Sequence, residues 1–222
     1  MHGKIMVNGN QIKLDLAMPN NKSDYGIIFI SGIAGDGLSD RWKLLAEKFK
    51  DNGFYFLRYE SWKKEKELGE YTIKMFHNEI DELISILKKK GCNKIGIIGK
   101  SFGGGLSLIY LNKKIDKMVL FAPAIGISSN NNINKWKDKK LSKIKSLTDI
   151  KLDDKILFFH KEPILIIHGT KDDVIPIGNS MKMCKKHANM KLEKIYGADH
   201  SYRNPKHANK IIRLSFNFFK IN

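Results

Sequence analysis

The spacing of apolar positions along this chain changes several times, and each change marks an element. Residues 4–7 and 11–17 alternate weakly around Asn8-Gly9-Asn10, which predicts an antiparallel hairpin at a sheet edge. Residues 26–30 are continuously apolar, as in a strand buried on both faces. Over 38–50, Trp42, Leu45, Ala46 and Phe49 recur at helical spacing, and Asn52-Gly53 closes the run. Residues 54–59 read as the next strand. Across 71–90, Ile73, Phe76, Ile80, Leu83, Ile84 and Leu87 form one stripe that Gly91 stops. The β-branched run Ile95, Ile97, Ile98 follows, then a helix over 103–111. Strands at 117–122, 163–167 and 191–196 come next, and a last helix at about 207–220 carries Ile211, Ile212, Leu214, Phe218 and Phe219. Alternating strands and helices predict an α/β fold, a mostly parallel sheet with helices on both faces. Catalytic loops then gather at the carboxyl ends of the strands. The interval 125–162 breaks the rhythm and is too long for a plain connection.

Candidate chemistry enters where the strand at Ile95 to Ile98 runs without a loop into Gly99-Lys100-Ser101-Phe102-Gly103. A G-x-S-x-G between a strand and a helix is the setting of a nucleophile elbow. The turn strains the serine backbone, and a Cβ on either glycine would collide with it. Such a serine needs a base, an orienting acid and an oxyanion hole. Asp172 and Asp173 lie just after the strand 163–167, and His200 follows the strand 191–196 in Gly197-Ala198-Asp199-His200. Serine, acid, histidine is the chain order of the α/β-hydrolases. Ser31-Gly32-Ile33-Ala34-Gly35-Asp36 follows the strand 26–30, and its small residues suit an oxyanion loop. The backbone N–H groups of Ile33 and Phe102 are the expected donors; losing one such donor typically costs ~10²–10³ in turnover.

Taken together, SGIAGDG, GKSFG, FAPAIG, HGTKDDVIP and YGADH resemble a small, single-domain α/β-hydrolase of the serine esterase type. The layout is similar to the cinnamoyl/feruloyl esterase-like and monoglyceride-lipase-like branches, from about residue 26 to the C-terminus. The resemblance implies that the acid falls four residues after His168, at Asp172, with Asp173 the lesser choice. It also implies one domain over 1–222, with a small cap over the active site at 125–162 and Trp136, Ile144, Leu147 and Phe158 as its apolar contacts. Three positions depart from the family: Ser31 replaces a histidine, Lys100 replaces another, and the segment after the strand 54–59 lacks the usual small-residue loop.

Composition narrows the alternatives. A chain of 222 residues suits one sizeable core. No segment approaches 18 consecutive apolar residues, and the N-terminal residues do not read as a secretory signal. Cys92 and Cys184 form neither a disulfide framework nor a metal spacing, so a reduced, cytoplasmic setting is expected, and with no His/Asp/Glu cluster at metal spacing neither a metal nor a cofactor is. The net charge of +17 invites a nucleic-acid reading. Against it, only four basic residues are arginine, and the lysines are spread over every predicted helix. No nucleic-acid partner is therefore expected. A P-loop reading of Gly99-Lys100-Ser101 fails because Lys94 stands where a glycine is required.

The sequence thus predicts a cofactor-independent serine hydrolase acting on a small-molecule carboxylic ester. Ser101 is the nucleophile, His200 the base, Asp172 the orienting acid. A peptidase or thioesterase with the same triad is the alternative, and a non-catalytic basic binding protein the second. Lys100 offers a second candidate base but is expected to be a solvated lysine beside the elbow, and His168 a structural histidine bonded to backbone. His77, His160, His187 and His207 are expected on the surface or in packing. Glu60 and Trp62, after the strand 54–59, are expected either to face the cleft or to lie in solvent.

Overall fold

The computed structural model describes residues 1–33, 37–60, 71–110, 115–124 and 160–220. Strands β1 (His2–Val7) and β2 (Asn10–Ala17) pair antiparallel around Asn8 and Gly9, whose φ angles are 54° and 76°. Two successive positive φ values define the tight hairpin turn that Asn-Gly tolerates best. β2 also pairs antiparallel with β4 (Tyr55–Tyr59). All other pairings are parallel: β4 with β3 (Tyr25–Ile30), β3 with β5 (Lys94–Lys100), then β6 (Lys117–Phe121), β7 (Ile164–Gly169) and β8 (Met190–Ile195). Among the described residues the eight strands form one sheet in the order β1-β2-β4-β3-β5-β6-β7-β8.

Alternation along the inner strands feeds two cores. Ile27, Phe29, Ile98, Val119 and Ile167 face α1 (Lys43–Lys50) and α5 (Pro205–Lys220). There Phe49 meets Phe54, Phe216 and Phe219 with ring centroids 5.3, 5.9 and 5.7 Å apart. Ile28, Ile30, Ile97, Leu120 and Ile166 face the opposite way, onto the stripe Phe76, Ile80, Leu83 and Leu87 of α2 (Ile73–Lys89). Each such side chain contributes roughly 1.5–3 kcal/mol over leaving it in water. The continuous apolar runs of the sequence therefore correspond to strands covered on both sides. No helix among the described residues is long and apolar enough to cross a membrane.

Two helices differ from expectation. The run 38–50 divides into a 3-10 turn, Asp40–Trp42, and α1. The Ser39 carbonyl accepts the Trp42 N–H at 3.1 Å and Arg58 Nη1 at 3.0 Å, while the indole is drawn over Phe29. The helix expected over 103–111 is the short α3 (Phe102–Ser107), followed by a turn, and residues 111–114 lie outside the described part.

The cap expected at 125–162, with Trp136, Ile144, Leu147 and Phe158, falls outside the described residues except for 160–162. Those last residues lie at the amino end of β7, away from Ser101. His160 Nδ1 faces the Glu162 carboxylate, and its Nε2 donates to the Leu108 carbonyl at 2.7 Å. Asn189 Nδ2 donates to the carbonyls of His160 and Glu162 at 3.1 and 2.9 Å.

Candidate active site

Pairing of Ile30 with Gly99 sets the loop after β3 level with the end of β5. Ser101 follows β5 directly, with φ 52° and ψ −115°. A β-substituted residue holds that conformation only where its surroundings enforce it. Here the Ser101 N–H donates to the Phe121 carbonyl at 2.8 Å, and its own carbonyl accepts from Gly105 and Ala124 at 3.0 and 2.9 Å. The two elbow glycines are sterically required. A Cβ on Gly103 would stand 2.2 Å from the Ser31 carbonyl oxygen, and one on Gly99 would stand 2.6 Å from Ser107 Oγ.

Asp172 sits in the loop after β7. Its Oδ1 accepts the Val174 and Ile175 N–H groups at 2.9 and 2.8 Å. Its Oδ2 lies 2.7 Å from His200 Nδ1 and 3.3 Å from His168 Nε2. Burial alone raises the pKa of this carboxyl, but hydrogen bonds from His168, His200 and Ile175 outweigh it and hold the group well below the usual carboxylate range. His200 Nε2 lies 2.9 Å from Ser101 Oγ. With a carboxylate on Nδ1, the proton belongs on that nitrogen and the lone pair on Nε2 faces the serine hydroxyl. The structure thus brings Ser101, His200 and Asp172 into one hydrogen-bonded line, and the carboxylate on His200 is that of Asp172, not Asp173.

The loops that carry Asp172 and His200 are tied to each other. The Lys171 N–H donates to the Ala198 carbonyl at 3.0 Å, and the Gly197 N–H donates to Thr170 Oγ1 at 2.9 Å. A Cβ on Gly169 would stand 2.3 Å from the Ala198 oxygen. His168, fully buried in β7, bonds through Nε2 to the Ile175 carbonyl at 2.9 Å and through Nδ1 to Ser180 Oγ of α4 (Ile177–Lys186) at 2.8 Å. The backbone bond matches expectation. Its reach toward Asp172 does not follow from sequence, although the His-Gly pair ending β7 marks the place.

The oxyanion candidates flank the elbow. Gly32 is close enough that a Cβ on it would stand 3.5 Å from Ser101 Cβ; Ile33 is next, and residues 34–36 lie outside the described part. Phe102 is the first residue of α3. Glu60 is half-buried, with its N–H on the Lys13 carbonyl, and Trp62 lies outside the described residues.

Lys100 corrects the sequence reading. It is only 6% exposed, not solvated, and its Nζ lies 3.1 Å from His200 Nε2. The reason is topological. β5 has parallel neighbours on both sides, Lys100 pairs with Phe121, and helices cover both faces, so the strand end has no solvent side. Cys92 and Cys184 are free thiols, each pushed up to about 11 by burial, with Asp24 adding to the shift at Cys92; neither is an activated nucleophile.

The profile of the prolyl oligopeptidase family matches residues 58–222. No curated protein matches the sequence. Among solved structures, Est1E from Butyrivibrio proteoclasticus is 19% identical with a TM-score of 0.81, over 98% of this chain and 97% of its own. The esterase EaEST from Exiguobacterium antarcticum is 16% identical with a TM-score of 0.77, over 99% of this chain and 100% of its own. A dienelactone hydrolase from Anabaena variabilis is 18% identical with a TM-score of 0.73, over 99% of this chain and 95% of its own. At these identities the structural likeness speaks for the fold.

Proposed function

Because this chain belongs to the prolyl oligopeptidase family of α/β-hydrolases and is a serine hydrolase, we propose that it cleaves carboxylic esters through Ser101, His200 and Asp172. The observation that carries the reading is the line Asp172 Oδ2–His200–Ser101 Oγ, with contacts of 2.7 and 2.9 Å, ending on a serine at φ 52°. Ser101 Oγ attacks the ester carbonyl as His200 Nε2 takes its proton. Asp172 keeps the ring in the required tautomer and stabilises the imidazolium. The N–H groups of Ile33 and Phe102 hold the tetrahedral oxyanion. His200 then protonates the departing alcohol, leaving Ser101 acylated. Water, deprotonated by His200, releases the acid and restores the hydroxyl. The insertion at 125–162 is proposed as a cap bearing on substrate choice, and the free cysteines support a reducing, cytoplasmic setting.

Esters rank first because the fold neighbours Est1E and EaEST are esterases, and Est1E has been seen with ferulic acid bound. The family match favours amide substrates as a second reading. Purified protein is assayed on p-nitrophenyl esters of graded chain length, a ferulate ester and a prolyl peptide, with a fluorophosphonate label as readout of the nucleophile. Ester turnover and labelling that disappear in Ser101→Ala are expected. Labelling that persists in that variant overturns the nucleophile, and peptide turnover well above ester turnover replaces the first reading by the second.

A further inference from the structure

Resting on His200 as the base, we infer that Lys100 is a positioning residue: it occupies the Nε2 lone pair in the resting site, keeps the ring unprotonated, and yields that lone pair to Ser101 as attack begins.

Geometry carries the argument. Nδ1 holds its proton against Asp172, so Nε2 has one in-plane lone pair. Two donors face it, Ser101 Oγ at 2.9 Å and Lys100 Nζ at 3.1 Å. A lysine ammonium has three donors and no acceptor, so its contact is donation to the ring nitrogen. Once Nε2 takes the serine proton, its N–H faces the ammonium and the contact becomes repulsive. The ammonium must then turn away. Its four-carbon stem permits that, and the Tyr202 ring, 5.8 Å from Nζ, supplies an aromatic face nearby.

The charges around His200 make Lys100 distinctive. Asp172 favours a protonated ring. Asp199, on the same loop as His200, pairs with Arg203 at 3.6 Å. His168 stands behind Asp172, and Tyr202 donates its hydroxyl to the Ile167 carbonyl. Burial first, then the Lys100 charge, hold the His200 pKa below the usual histidine range against the pull of Asp172. Among the described residues, Lys100 is the cation in direct contact with the base.

The base works unprotonated, so the acid limb of kcat/KM against pH reports its titration in the free enzyme. A positive neighbour moves that limb to lower pH, and removing the charge moves it up. The upward shift is at least about one pH unit, the effect of a unit charge at this distance even under the screening of bulk water. The experiment measures ester kcat/KM and fluorophosphonate labelling rate against pH for wild type, K100M, K100Q and K100R, with thermal unfolding alongside. K100M and K100Q are expected to move the limb upward in both profiles, with K100R returning most of the shift. If K100M fails to fold, K100Q carries the same expectation, since it keeps a polar donor without the charge. A limb that stays in place while rates fall equally at every pH makes Lys100 a packing residue and overturns the inference. Labelling that survives in Ser101→Ala instead overturns the triad reading beneath it, so the two failures are distinguishable.

Discussion

His200 and His160 each set one ring nitrogen against a carboxylate, the buried Asp172 in the first case and the half-buried Glu162 in the second. Their other nitrogens meet opposite company. His200 Nε2 faces two donors, Ser101 and Lys100, whereas His160 Nε2 faces the Leu108 carbonyl, an acceptor. A ring with acceptors on both sides favours a proton on both nitrogens, whereas a ring with donors on its far side favours the neutral form. Burial opposes the charged form of both. At His160 the bond to Glu162 and the Leu108 carbonyl overcome it and raise the pKa; at His200 burial and Lys100 prevail and lower it. The far side of each ring thus differs in kind: the Leu108 carbonyl adds a second acceptor at His160, and Lys100 adds a cation at His200. His160 joins the entry of β7 to the turn after α3, the helix that begins beside Ser101.

The contrast is tested most sharply by exchanging the damage. His200→Gln is expected to lower kcat roughly 10⁴–10⁶-fold with little change in unfolding midpoint, read by ester turnover beside chemical denaturation. If activity survives, His200 is not the base. Asp172→Asn is expected to lower kcat about 10⁴-fold by allowing the wrong tautomer, while Asp173→Asn leaves turnover close to wild type. The reverse order of these two moves the acid by one residue. His160→Gln is expected to act the other way, costing roughly 1–3 kcal/mol of stability by leaving the buried Leu108 carbonyl without its donor, with the activity of the folded fraction retained. A loss of turnover without a loss of stability would dissolve the distinction.

The smallest effect lies in the pH dependence of stability. His160 has a raised native pKa, so its contribution is complete below the ordinary histidine value and fades as pH rises through the native one. Burial raises the Glu162 pKa, but the His160 bond and charge bring it below the usual value. Its contribution is complete above the ordinary glutamate value and fades as pH falls through the native one. The stability gap between wild type and His160→Gln should therefore be widest between about pH 4.5 and 6.5 and narrow as pH rises through the native His160 value. Denaturant midpoints across that range check it; a gap that widens in alkali contradicts a charged His160.

Much of this was legible in the sequence because it is written locally. The parallel sheet follows from unbroken apolar runs such as Ile27 to Ile30, and the elbow from Gly99 and Gly103 around Ser101. His200 and Asp172 could be proposed because each follows a strand whose carboxyl end must lie on one rim. What escaped depends on partners far along the chain. Lys100 looks solvated until β3 and β6 are seen on either side of β5. His160 finds the acceptor for its second ring nitrogen 52 positions away, at Leu108. The division of the first helix at Trp42 came from Arg58 claiming the Ser39 carbonyl, a contact no periodicity records.

Gly169 and Ala198 meet back to back, with no room between them for even a methyl group. The loops bearing Asp172 and His200 thus share one seam. Mutational tolerance inherits this arrangement. Any side chain at position 169 would have to displace the Ala198 carbonyl, two residues before His200, so loss of activity is expected from a substitution that leaves Ser101, His200 and Asp172 themselves intact.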